Sequence, residues 1–183
     1  MRLPHLEKSP DIHPSVYVDP TARINGDVTI APGASVWCNV SIRGDVHHVR
    51  IGENTNVQDN CALHTTHETH PLDIGPCVVI GHGAILHGCT LKGSALVGLG
   101  AILLDGCTIE EEVIFGAGSV VTQGWAMPSG HLVLGSPARA VRPLTEQERR
   151  AVREGWKNYA EYVEEYRRLG KFHGWEDHPL RDR

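Results

Sequence analysis

The chain has 183 residues, a net charge of −5 with its 12 histidines neutral, and only 5% aromatic residues. That charge, with no Lys/Arg cluster before the C-terminal third, argues against nucleic acid as the partner. No apolar run reaches the roughly 18 residues needed to span a membrane. With so few rings, the core has to be built from Val, Ile, Leu and Ala.

Residues 1–11 read as an N-terminal cap, and Met1-Arg2-Leu3-Pro4-His5 lacks the apolar stretch of a signal peptide. From Ile12 an aliphatic residue recurs every six: Ile12, Val18, Ile24, Ile30, Val36, Ile42. Four residues after each stands a small or branched one: Val16, Ala22, Val28, Ala34, Val40, Val46. The count resumes at Ile51, Val57 and Leu63, then at Ile74, Ile80 and Leu86. It drops one residue and finishes with Leu91, Val97, Leu103, Ile109, Phe115 and Val121. Neither a helix nor a hairpin sheet has a period of six. Hexapeptide repetition marks a parallel β-helix, with one strand and one turn per hexad and three hexads to a triangular coil. Residues 12–126 therefore predict an all-β prism of about six coils. Gly26, Gly33, Gly52, Gly81, Gly98 and Gly116 fall at its turns, where a relaxed φ is useful.

Residues 127–144, with Gly130, Gly135 and Pro137, read as the exit from the prism. Thr145-Glu146-Gln147-Glu148 matches a capping box opening a C-terminal α-helix over 145–170. Val152, Trp156, Tyr159, Val163 and Tyr166 share one face of it. That face packs along the outside of a prism, its own or a neighbour's. The tail 171–183 is polar and is assigned no structure. The five cysteines, Cys38, Cys61, Cys77, Cys89 and Cys107, are scattered with no CxxC pair. They read as reduced and buried, which sets a cytoplasmic location as the expectation.

Counting faces in rotation from Ile12 places Ile42, Leu63 and Leu86 on the third face of successive coils. Arg43, His64 and His87 each hold the second position of their hexads and so stack. Val57 and Ile80 fall on the second face, which puts Asp59 and His82 nearer a corner. His64 and His87 can share a metal, since imidazole is the commonest metal ligand. A three-histidine site needs His82 from a neighbouring chain, and threefold packing of prisms supplies it. The plain alternative makes these histidines polar residues on a wet seam. His5, His13, His131, His173 and His178 read as surface or cap residues, and His47 and His48 as lining of an interface.

Arg43-Gly44-Asp45, Gln58-Asp59-Asn60, His64, Gly81-His82-Gly83-Ala84 and Leu86-His87-Gly88-Cys89 together resemble the γ-class carbonic anhydrases, of the left-handed β-helix superfamily. The resemblance runs over about the whole length and implies a left-handed parallel β-helix assembled as a homotrimer. It implies Zn2+ on His64, His82 and His87, one of them from the adjacent subunit; imidazole also suits Fe2+ or Co2+. It further implies an intersubunit ion pair between Arg43 and Asp59, solvent oriented by Gln58, and Asp45 as a polar residue at the interface. The reaction implied is reversible hydration of CO2 to bicarbonate. One departure is clear: the family's best-known pattern has a glutamate where Val46 stands, and its loop glutamate has no counterpart. The chain is closer to the shorter branch lacking the acidic loop. His67, Glu68 and His70 are then the candidates for relaying protons. Tyr159 lies on the helix face that packs inward, with a hydrogen bond to substrate or solvent as its functional reading. Two other classes remain. A hexapeptide-repeat acyltransferase or thioesterase shares an exit segment like Gly135-Ser136-Pro137-Ala138-Arg139. A non-catalytic metal-binding or scaffold protein shares the fold.

Overall fold

The structure, a computed structural model, describes residues 3, 5–179 and 181. The first residues of the expected cap and the last of the tail, Met1, Arg2, Pro4, Leu180, Asp182 and Arg183, lie outside the described residues. Short strands climb the three faces of a left-handed parallel β-helix. The second face runs through Tyr17–Val18, Ser35–Val36, Asn56–Val57, Val79–Ile80, Ala95–Val97, Val113–Phe115 and His131–Gly135. Two long strands, Arg23–Ile30 and Ser41–Ile51, bend through the corner from the third face to the first and hydrogen-bond the two into one sheet. Every aliphatic position of the hexad series is buried, from Ile12 at 9% exposure to Val121 at 0%. They join in one cluster with the small corner residues Val16, Ala22, Ala34 and Val40. Cys61, Cys89 and Cys107 occupy the same kind of position, are buried, and are free thiols.

The prism is about seven coils rather than six. Met127 and Val133 continue the six-residue spacing and are buried. Ala126–Met127 and His131–Gly135 pair in parallel with the coil below, and Ala138–Pro143 turns back antiparallel to close that end. The 127–144 segment is thus the last coil with a closing strand. The glycine reading also divides. Gly26 and Gly33 have φ of 82° and 71°, whereas Gly52, Gly81, Gly98 and Gly116 are not in the left-handed region. Close approach between coils requires glycine at Gly98, where a Cβ would stand 2.4 Å from the Phe115 carbonyl oxygen.

The C-terminal helix is two segments, α1 (Glu146–Glu154) and α2 (Trp156–Arg168), meeting at Gly155. The expected capping box is present: Thr145 Oγ1 accepts the Glu148 N–H at 3.2 Å and Glu148 Oε2 accepts the Thr145 N–H at 2.8 Å. Arg149 and Arg153 both pair with Glu112 and fasten α1 to the prism. On α2, Tyr159 lies edge-on to Trp37 at 5.5 Å and Tyr166 to Tyr17 at 5.4 Å, with Val163 buried between. The helix therefore packs on the second face of its own chain. No helix among the described residues is long and apolar enough to cross a membrane.

The tail has a structure that its mean polarity hides. Phe172 reaches the Tyr17 ring, and Trp175, in the short 3-10 turn Trp175–Asp177, is buried in the main core. The His173 carbonyl accepts the Val18 N–H at 2.9 Å, which adds chain to the first coil. An open prism end exposes aliphatic interior, so a few rings there outweigh polar neighbours.

The cap is held by a buried carboxylate. Asp27 receives His5 Nδ1 at 2.9 Å, Lys8 Nζ at 2.6 Å and Arg50 Nη2 at 2.7 Å. Burial alone would raise its pKa, but the Lys8, His5 and Arg50 hydrogen bonds outweigh it and hold the carboxyl far below the usual range. A depressed folded-state pKa gives stabilisation that is complete above the unfolded value, about 3.9, and is lost as pH falls through the folded one. In urea melts between pH 5 and pH 2, Asp27→Asn should lose less stability than the parent protein. Equal losses would refute the latch.

Candidate metal centre

The site follows from strand alternation. Leu63 and Leu86 point into the prism, so the next residues, His64 and His87, point out. The two are direct partners in the parallel register, and their ring centroids lie 5.1 Å apart. His64 Nδ1 and His87 Nε2 face each other at 3.1 Å. The far nitrogens are held by carboxylates. His64 Nε2 donates to Asp45 Oδ1 at 3.0 Å, and His87 Nδ1 donates to Asp105 Oδ1 at 2.7 Å. Arg43, on the preceding coil, donates to the other oxygen of Asp45. Burial holds the His64 imidazole below its ordinary pKa, aided by the Arg43 charge and opposed by Asp45. That favours the neutral ring a metal needs. Burial would raise Asp45, but the His64 hydrogen bond and the Arg43 charge hold it down.

His82 stands at the corner between the second and third faces, with 46% of its side chain exposed. Its Nδ1 lies 2.9 Å from Asp59 Oδ2. Within one chain, then, Arg43 is paired with Asp45 and Asp59 with His82. Among the described residues no three His, Cys, Asp or Glu side chains gather into one cluster able to hold a metal. Each of the three histidines nevertheless has one ring nitrogen engaged by a carboxylate. That is the support ordinarily found behind a metal-bound imidazole, and this donor set fits a divalent ion.

Gln58 is buried, and its Nε2 donates to Asn56 Oδ1 at 3.2 Å. Asn56 was not singled out from the sequence. Its Nδ2 is buried without a hydrogen-bond partner, an arrangement that leaves a donor for a small polar molecule. The available signal was its place beside Val57, outward-facing like Gln58. Tyr159 lies in the field of Asp59: burial first, then that charge, push its phenol up. The relay candidates separate. His67 lies 3.8 Å from Glu68, whose N–H donates to the Val46 carbonyl, so the loop after His64 covers Val46. His70 instead lines a groove of about 450 Å³ with Thr66, Thr69, Asp105, Gln123 and Gly124. Asp105 was also missed by sequence reading; its partner His87 is 18 residues away.

No protein-family model matches the chain. A relative from Methanocaldococcus jannaschii named "Probable carbonic anhydrase" is 48% identical over 84% of this chain and 96% of its own length. The mitochondrial "Gamma carbonic anhydrase 2" of Arabidopsis thaliana is 40% identical over 84% of this chain and 57% of its own. Among solved structures, a Bacillus cereus protein described as a "putative acetyltransferase" superposes with a TM-score of 0.86 at 40% identity. It covers 89% of this chain and 94% of its own.

Proposed function

Since this chain belongs to the γ-class carbonic anhydrase family, we propose that it hydrates CO2 reversibly to bicarbonate at a three-histidine metal site between subunits. The observation that carries this reading is the pair of imidazole nitrogens facing each other at 3.1 Å with carboxylates behind both rings. An acyltransferase of this fold needs one histidine as general base, not two converging ring nitrogens with matched supports.

In this reading His64 and His87 of one subunit and His82 of another hold the ion, Zn2+ or alternatively Fe2+ or Co2+. When bound, a divalent ion of this kind supplies Lewis acidity that lets water ionise near neutral pH. The chain's own residues do the rest. Asp45, Asp59 and Asp105 hold the imidazoles in place and keep their outer nitrogens protonated. In this reading the Gln58 amide orients solvent, and the Asn56 Nδ2, buried without a partner, and the Tyr159 hydroxyl contact substrate or solvent. Protons leave through the groove that His70 lines, or by a separate route past His67 and Glu68 on the loop over Val46.

Exposed apolar residues support a homotrimer. Ile85 stands 41% exposed on the His87 strand. Leu99 is 58% exposed on the coil next to His82, where the Gly100 N–H donates to the His82 carbonyl. Both flank the half-sites and would be covered by a second copy. In that assembly Arg43, about half exposed, reaches Asp59 of the neighbouring subunit. Five free cysteines agree with a cytoplasmic setting.

The direct test is metal analysis of the purified protein together with stopped-flow CO2 hydration and an acetyl-coenzyme A transfer assay. Bound metal with hydration and no acetyl transfer is expected. Acetyl transfer by a metal-free protein would overturn the reading.

A further inference from the structure

Asp105 is absent from the hexad logic that places the histidines. Leu86 pairs with Leu103, so Leu104 rather than Asp105 follows His87 in the stacked column. The Asp105 side chain has to reach back across a corner. Gly88 makes room: its φ is 57°, and a Cβ there would stand 2.2 Å from Asp105 Oδ1. The backbone around the carboxylate is fixed from both sides. The Gly106 N–H donates to the Gly88 carbonyl at 2.7 Å, and the Gly124 N–H to the Asp105 carbonyl at 2.8 Å. The resulting 2.7 Å contact with His87 Nδ1 is shorter than the 3.0 Å contact between His64 and Asp45. With only 16% of the Asp105 side chain exposed, water competes little for it.

We propose that Asp105 is a positioning residue that holds His87 in its Nδ1–H tautomer and turns an unprotonated Nε2 towards His64. An ionised carboxylate only accepts hydrogen bonds, so the ring proton must sit on the nitrogen facing it. The lone pair of the other nitrogen is then free to bind a cation. The purpose of this arrangement rests on the metal reading above. The tautomer itself belongs to the metal-free chain and can be read without a metal.

In metal-free Asp105→Ala protein above neutral pH, nitrogen-resolved NMR of His87 should show the Nε2–H form appearing. Zinc affinity, by chelator competition, should fall about 10–100-fold. Asp105→Asn, whose side-chain carbonyl still accepts from Nδ1–H, should keep the tautomer and recover part of the affinity. Gln123→Ala, on the same groove, should change neither. An Asp105→Ala protein that retains the Nδ1–H form overturns the proposal whatever its affinity. A tautomer that flips as expected while the parent protein takes up no metal upholds the positioning role and sinks the metal reading instead.

Discussion

Replacing His82 with alanine should abolish metal uptake and CO2 hydration while leaving thermal unfolding of the coil almost unchanged. His82 is a half-exposed corner residue whose recorded partner is Asp59, so its loss opens no cavity. Surface changes of this sort usually fall within about 0.5 kcal/mol. His64→Ala should be equally inactive for a different reason, since it removes the other half of the site. The decisive measurement mixes the two. If subunits from an equal mixture assemble at random, about one quarter of the interfaces join an intact His64/His87 face to an intact His82 corner. Metal content and activity should then recover to roughly that fraction after co-refolding. No recovery, in particles shown to contain both variants, argues that each chain holds its metal alone.

Phe115→Ala should be the most damaging single core substitution. Phe115 is fully buried on the second face, stacked between Val97 and Val133 in a prism filled mainly by aliphatic residues. Deleting a buried phenyl ring costs about 3–5 kcal/mol, from lost burial and the cavity left behind. The adjoining coil is held close, because the Gly98 N–H donates to the Phe115 carbonyl at 2.9 Å, and so cannot collapse into the gap. In a solenoid each coil is stabilised by its neighbours alone, so the damage should stay local. Hydrogen exchange should lose protection first in the last coils and α1, and last near His64. Ile114→Ala, on the same strand but outward-facing, should cost far less. Comparable losses from the two would mean that the ring is not the spacer assigned here.

Much of this molecule is legible from spacing. The hexad residues from Ile12 to Val121 all proved to be buried. The stacking of His64 on His87 followed from counting hexads, as did the separation of His82 from both. A count of faces succeeds because each coil repeats the backbone of the one before it. Departures came where that repetition weakens. The seventh coil was hidden because Met127 is an unbranched thioether at an otherwise aliphatic position. Trp175 was hidden because composition averaged it into a polar tail.

The pairing of side chains was another matter. Asp45 and Asp105 lie 19 and 18 residues from the histidines they support. Nothing in a period of six distinguishes them from other corner carboxylates. Their contacts depend on side-chain torsions at a corner and on room left by Gly88. The docking of α2 depends likewise on ring contacts with Tyr17 and Trp37. Backbone periodicity is a local property that every residue votes on, and so it can be read along the chain. Which carboxylate reaches which imidazole is decided by a few atoms from separate coils, and it exists only once those coils are stacked.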